Sequence, residues 1–200
     1  MMRRLRLLSV LLGIALLSAC SAKPVLEDNF YRLTLASPQP SQNLPAGMAS
    51  GVIQVERFTA DGLLGGRAIV FSDSARADVA QTYHYDFWLE PPTILLQSAL
   101  TDTLRKAGVQ KVVTPDLRIE PDYTITGKIR AFEQIRGNPG FVRVQIELAV
   151  TERSGGKLIM FKSYSAEPRT SSDGIREAVG KMSAAIDQIY SEFLKDLAAR

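Results

Sequence analysis

The clearest hydrophobic pattern in the chain is a strict alternation of apolar and polar residues that begins at Asp122. A period of two is typical of β-strands, because successive side chains point to opposite faces of a sheet. On the first strand the apolar positions are Tyr123, Ile125, Ile129 and Ala131, and the polar positions are Thr124, Thr126, Lys128 and Arg130. After a turn at 137–140, the second strand alternates Val142, Val144, Ile146, Leu148 and Val150 with Arg143, Gln145 and Glu147. With a third strand at 157–164 beyond a Ser-Gly-Gly hairpin, the pattern predicts an antiparallel meander with one solvated face.

Two other segments carry apolar residues at the helical spacing of three and four. The first begins at Pro91-Pro92, since a proline at a helix start lacks only an N–H that the first turn leaves unused, and it ends at Gly108. Its apolar stripe is Leu96, Ala99, Leu100, Thr103, Leu104 and Ala107. The second helix, with Ser172 or Asp173 as predicted N-cap, has the stripe Ile175, Ala178, Val179, Met182, Ile186, Ile189, Phe193 and Leu197.

Shorter β-prone stretches precede the meander, at 30–35, 52–58, 68–71, 79–88 and 109–113. The Gly-rich stretch 62–67 lacks the Gly-Lys-Ser/Thr ending of a phosphate loop and opens no helix, so we interpret it as a connecting loop. Together these elements predict an α+β fold, a single domain with a mainly antiparallel sheet of about seven strands and two amphipathic helices packed on one face.

The first residues of the chain have the three parts of an export signal. Arginines precede an apolar run at 7–17, and the small residues Ser18 and Ala19 follow it. The run is far shorter than the roughly 20 residues of a membrane-spanning helix. The sequence Leu-Ser-Ala-Cys at 17–20 resembles a bacterial lipobox. In a lipobox the cysteine thiol takes a diacylglyceryl group through a thioether, the signal is cut, here between Ala19 and Cys20, and the new amino group is acylated. We therefore expect a lipoprotein signal peptide at 1–19, a lipidated tether at 20–29 and one domain at 30–200.

Charge and cysteine content narrow the classes of function. The whole chain carries 24 basic and 21 acidic residues, and three arginines lie within the predicted signal. The mature chain is therefore formally neutral, which argues against nucleic acid as a partner. Cys20 is the only cysteine and His84 the only histidine. With one cysteine, the chain cannot form an internal disulfide, and a metal site built from His and Cys is nearly excluded. The one cofactor-like group that we expect is the covalent N-acyl diacylglycerol on Cys20.

The sequence offers little catalytic chemistry. His84 is the one histidine that could act as a general base, and no Gly-x-Ser-x-Gly elbow presents a serine nucleophile. We interpret His84 as a surface or half-buried strand residue and Trp88 as a packing residue. The carboxylate pair Glu120 and Asp122 lies in a loop without a distinguishing context. We therefore expect a protein that is not an enzyme, with no catalytic, cofactor-binding or metal-binding residues.

The polar side of the meander is the more informative surface. Lys128, Arg130, Arg143 and Gln145 are predicted to lie on it. An ordinary solvated sheet face is the simpler interpretation, and a docking face for another protein is the alternative.

Three stretches together resemble a known family. They are the lipobox, the sequence Phe-Tyr-Arg-Leu at 30–33, and Phe-Trp-Leu-Glu-Pro-Pro at 87–92. The chain resembles the ABC-type transport auxiliary lipoproteins, the PqiC-like group, over most of its mature length. It departs from the family pattern at Leu89, where an alanine is usual, and at Pro92, where a leucine is usual.

The resemblance implies a non-enzymatic lipoprotein subunit that works with an MCE-domain protein and an ABC transporter permease and ATPase in intermembrane phospholipid transport. It implies attachment to the membrane through the lipid on Cys20, and Ser21 after that cysteine favours the periplasmic face of the outer membrane. A homo-oligomer is left open. The alternatives are an envelope scaffold or activator, for example of a peptidoglycan synthase, and a soluble lipid-carrying pocket.

Overall fold

Ten strands and three helices make up the described part of the chain, residues 26–36 and 46–200, in a computed structural model. The strands are β1 (Asn29–Tyr31), β2 (Ile53–Val55), β3 (Thr59–Ala60), β4 (Ala68–Asp73), β5 (Arg76–Trp88), β6 (Val112–Val113), β7 (Tyr123–Arg136), β8 (Gly140–Glu152), β9 (Leu158–Ala166) and β10 (Arg169–Thr170). The helices are α1 (Ala46–Ser50), α2 (Pro92–Lys106) and α3 (Ile175–Ala198). The predicted signal, with Ala19 and Cys20, lies outside the described residues.

Strands β7 and β8 form the centre of the sheet. They run antiparallel, and β9 adds antiparallel to β8, so the predicted meander is confirmed. On its other side β7 pairs in parallel with β2, β3 and β4 at successive positions along its length. Beyond these, β5 and then β1 extend the sheet from β4, and β6 extends it from β2. The α+β class is confirmed, and the expected strand number is too low because short strands of two or three residues complete the sheet.

Helices α2 and α3 lie on one face of this sheet and enclose the core. From β8 the core receives Val142, Val144, Ile146, Leu148 and Val150, and from the helices it receives Leu96, Leu100, Leu104, Met182, Ile186, Ile189 and Phe193. The buried Tyr190 hydroxyl on α3 donates to the Leu96 carbonyl of α2 at 2.8 Å and joins the two helices. The predicted amphipathic helices are thus confirmed. Within the described residues, no helix combines the length and apolar character needed to cross a bilayer.

A β-bulge at Arg130 corrects one predicted face. The β7–β8 register shifts between Ile129, opposite Ile146, and Ala131, opposite Gln145. One extra residue in a strand reverses the side to which the following side chains point. Ala131 therefore lies on the side of Gln145, away from the helices, although the unbroken alternation had placed it with Ile129.

The predicted N-cap of α3 is also wrong. The N-cap of α3 is Gly174 rather than Ser172 or Asp173, because both side chains have other partners. Asp173 accepts the Gly137 N–H at 3.0 Å, and Ser172 donates its hydroxyl to Glu177 at 2.7 Å. The stretch predicted as a connecting loop does lead into β4, and it contains a short 3-10 helix, Gly62–Gly65.

Candidate functional site

The face of the sheet opposite the helices carries the four residues that the alternation selects. On β8, Arg143, Gln145 and Glu147 alternate with core residues and are half-buried. Lys128 on β7 lies opposite Glu147, and Arg130 occupies the bulge next to it. The fold therefore brings Lys128, Arg130, Arg143 and Gln145 onto one surface, as the sequence predicts.

Each cation on this surface has a carboxylate partner within the protein. Lys128 Nζ is 2.8 Å from Asp61 Oδ2, and Arg130 is 2.9 Å from Glu147. Arg143 is 2.8 Å from a carboxylate oxygen of Glu167 and 3.7 Å from one of Glu133. The surface is therefore a network of alternating charges rather than a basic patch. Sequence periodicity missed Asp61 and Glu167 because both lie outside β7 and β8.

These ion pairs are exposed enough to exchange partners. The hydrogen bond from Lys128 lowers the pKa of the Asp61 carboxyl, and the hydrogen bond to Glu147 raises the pKa of Arg130. Both shifts keep the partners charged. Solvent-exposed ion pairs of this kind contribute little to the stability of a fold, because water and salt screen the charges. Replacing an internal partner by one on another protein would therefore cost the domain little.

An exposed aromatic residue borders the charged network. Phe161 on β9 lies opposite Ala149 and is 61% exposed. A depression of about 190 Å³ separates its ring from Lys128 and Glu147. We call Lys128, Arg130, Arg143, Gln145, Glu147 and Phe161 the charged sheet face. Phe161 occupies an outward position of a strand in which Met160 and Tyr164 are buried, so the alternation of apolar and polar positions in β9 marks it as an exposed aromatic residue.

The residues that the sequence analysis considered as candidates for catalysis make contacts typical of structural residues. His84 is exposed on β5, with its ring centroid 6.5 Å from that of Tyr85. Trp88 is buried and stacks on Phe132 at 5.0 Å, as expected of a packing residue. Glu120 pairs with Arg153 at 2.6 Å, and Asp122 accepts the Val52 N–H at 2.8 Å. No cluster of three metal-ligating side chains occurs in residues 26–36 and 46–200.

The segment after β1 lies across the two long helices. The Thr34 N–H donates to the Ser183 hydroxyl at 3.3 Å, and the Ala36 N–H donates to Asp187 at 2.7 Å. Partial burial raises the pKa of the Asp187 carboxyl. Between this segment and α2 is a groove of about 430 Å³ whose apolar lining includes Leu33 and Leu95. These contacts fix the start of the domain on the helices.

Comparison with known proteins gives one family. The family described as "ABC-type transport auxiliary lipoprotein component" matches residues 31–192, from the end of β1 to the last turns of α3. No curated protein matches this chain.

Solved structures share the fold at low sequence identity. Protein XCC0632 from Xanthomonas campestris, of the family DUF330, has a TM-score of 0.73 at 16% identity, with 86% of this chain and 95% of that chain covered. A PelC dodecamer from Paraburkholderia phytofirmans has a TM-score of 0.52 at 15% identity, with 79% and 96% covered. At these identities the likeness concerns the fold alone.

Proposed function

Because this chain belongs to the family of ABC-type transport auxiliary lipoprotein components, we propose that it is the non-enzymatic lipoprotein subunit of an MCE-type system for intermembrane phospholipid transport. Acyl chains on Cys20 hold the domain at the periplasmic face of the outer membrane. The domain docks the end of the transport assembly there, through contacts with an MCE-domain protein whose ABC transporter permease and ATPase supply the energy.

The single observation that supports docking is the charged sheet face itself. The helices cover only the other side of the sheet. On this side the residues of the charged sheet face remain at least partly exposed, whereas Ala131 and Ile135 farther along β7 are buried. Alternating charges favour a partner with the complementary pattern and reject others by like-charge contacts. Phe161 supplies an exposed aromatic ring of the kind that anchors protein interfaces.

An assembly of several copies is compatible with this role. The PelC neighbour is a dodecamer. If this chain also forms a homo-oligomer, each copy contributes one charged sheet face to the docking surface, and many weak contacts add up to stable attachment.

Recovery of the MCE protein with the tagged, lipidated chain tests the proposal. Reversing two charges of the face, with Lys128→Glu and Arg130→Glu together, is expected to abolish that recovery. A matched control reverses two exposed cations of α3 on the other side, Arg176→Glu and Lys195→Glu, and should leave recovery unchanged. Unchanged recovery with the Lys128 and Arg130 pair would show that this face does not dock the partner.

A charge-swapped variant separates docking from folding. Arg130→Glu combined with Glu147→Arg keeps an internal ion pair between the two positions. Recovery should remain low if the partner recognises where each charge lies, and it should return if only the internal pair matters. Recovery of a penicillin-binding protein in place of an MCE protein would support the alternative role, an envelope scaffold or activator.

A further inference from the structure

Large apolar side chains are exposed on β1, an edge strand of the sheet, and in the residues just before it in the chain. Leu26 is 66% exposed and Phe30 is 52% exposed. The Phe30 ring stacks on Phe87 of β5, with the ring centroids 5.9 Å apart. The Arg67 guanidinium lies 5.1 Å from the centroid of the Phe30 ring. We call Leu26, Phe30, Arg67 and Phe87 the edge patch.

The edge patch is both apolar and charged. Arg67 donates its Nε–H to the Trp88 carbonyl at 3.2 Å, and no described carboxylate forms an ion pair with it. Asp28 lines the same depression, of about 330 Å³, together with Phe30, Arg67, Ala68 and Phe87. The patch thus offers an aromatic surface flanked by one cation and one anion.

The first residue of the edge patch lies close in the chain to the residue that is predicted to carry the lipid. Leu26 follows Cys20 by six residues, and a fully extended chain of six residues spans at most roughly 20 Å. A bilayer that holds acyl chains on Cys20 is therefore within that reach of the edge patch. This step rests on the lipidation that is part of the proposed function.

We infer that the edge patch rests on the bilayer surface, with Leu26 and Phe30 at the boundary between the headgroups and the acyl chains. Aromatic rings and flanking arginines favour this interfacial zone, where the ring is in contact with acyl chains and the guanidinium reaches phosphate oxygens. The chemistry fits a zwitterionic ethanolamine phospholipid, because its phosphate would accept from Arg67 and its ammonium would meet Asp28.

This contact orients the whole domain. Strand β1 is at one edge of the sheet and β9, with Phe161, is at another, separated by β5, β4, β7 and β8. With the β1 edge on the membrane, Phe161 and the neighbouring part of the charged sheet face extend away from it, toward an approaching partner.

Two labelled proteins test the inference. Cys20 is the only cysteine, so in the lipidated protein a new cysteine is the only free thiol. Phe30→Cys and Phe161→Cys each place a fluorescent nitrobenzoxadiazole ring at an exposed aromatic position, one on each edge strand. The full lipidated proteins are reconstituted in vesicles of phosphatidylethanolamine and phosphatidylglycerol, with nitroxide lipids labelled at the headgroup or at the top of the acyl chain.

The inference requires a blue-shifted emission at position 30 and a loss of fluorescence with the acyl-chain nitroxide, with neither change at position 161. Adding Leu26→Glu to the position 30 protein should reduce that loss, since it places a carboxylate at the boundary where the acyl chains begin. Equal quenching at both positions, or quenching at position 30 by the headgroup nitroxide alone, overturns the contact while leaving the lipidation intact. Label on Cys20 itself would overturn the lipidation and this inference together.

Discussion

Gly127 in the middle of β7 lies directly under the ring of Phe58. A Cβ at this position would be 2.7 Å from three carbon atoms of that ring. Phe58 is 2% exposed and belongs to the core, so the ring cannot turn away from position 127 into solvent. The absence of a side chain at position 127 therefore allows the segment that contains β2 and β3 to pack closely on β7.

We predict that Gly127→Ala lowers the free energy of unfolding by about 1–3 kcal/mol, the usual cost of overpacking a well-packed core. Chemical denaturation followed by circular dichroism measures the change. Gly180→Ala is the matched control, because Gly180 lies inside α3 with no atom within 4 Å of its Cβ position. That change should stabilise the protein by up to about 1 kcal/mol, through higher helix propensity. Equal effects of the two substitutions would contradict the packing argument.

The charged sheet face shows which residue positions a sequence pattern can predict and which it cannot. Period-two alternation places Lys128, Arg143 and Gln145 on one face, and the structure agrees. The predicted face of Ala131 is wrong because a bulge adds one residue to β7, and nothing in the local sequence pattern marks where the β7–β8 register shifts. The partners Asp61 and Glu167 also lie beyond prediction, because their proximity depends on chain segments that meet only in the folded protein.

At the scale of an element, the start of α3 depends on a side chain within its first turn. Glu177 accepts hydrogen bonds from the Ser171 N–H at 2.7 Å and from the hydroxyls of Ser171 and Ser172. These bonds, the Ser171 backbone bond foremost, lower the pKa of the Glu177 carboxyl from 4.5 to about 2. The carboxylate thereby fixes the chain that enters the helix, although the N-cap residue itself makes no side-chain bond.

A pH-dependent loss of stability is expected from Glu177. Because its pKa is lower in the folded protein than in the unfolded chain, its contribution is complete above pH 4.5 and is lost as the pH falls toward about 2. Glu177→Gln removes this ionisation. The difference in melting temperature between the parent protein and the variant should therefore be largest at neutral pH and shrink across that interval. A difference that is constant with pH would show that the charge of Glu177 is not involved.

The sequence predicts helices and strands best where the hydrophobic pattern repeats over many residues. The strands β7 and β8, with 14 and 13 residues, and the helices α2 and α3 follow clear periods of two and 3.6. The short strands β3, β6 and β10 have only two residues each. Two residues carry no period, so such strands are defined by the neighbours with which they pair.

At the scale of the whole molecule, we propose that acyl chains on Cys20 determine where the domain works. Acyl chains add about 0.8 kcal/mol per buried CH₂, and two or three chains make the attachment durable where a single chain would not. We expect Cys20→Ser to give a soluble or unprocessed protein. Fractionation of the envelope and the mass of the purified chain measure this outcome. A variant that stays membrane-bound at normal size and with normal function would contradict lipidation at this residue.

The sequence by itself determined the features that depend on neighbouring residues: the meander and the two amphipathic helices. It also determined the face of the sheet that carries Lys128, Arg130, Arg143 and Gln145. It also supplied the lipobox and the resemblance to the auxiliary lipoproteins. Only the tertiary structure decided that β2, β3 and β4 pair in parallel with β7, that every cation of the charged sheet face has a carboxylate partner, and that Phe30 and Phe161 lie on different edges. The physical reason is that periodicity records which side of an element is buried, whereas long-range pairing depends on how all the buried sides pack together.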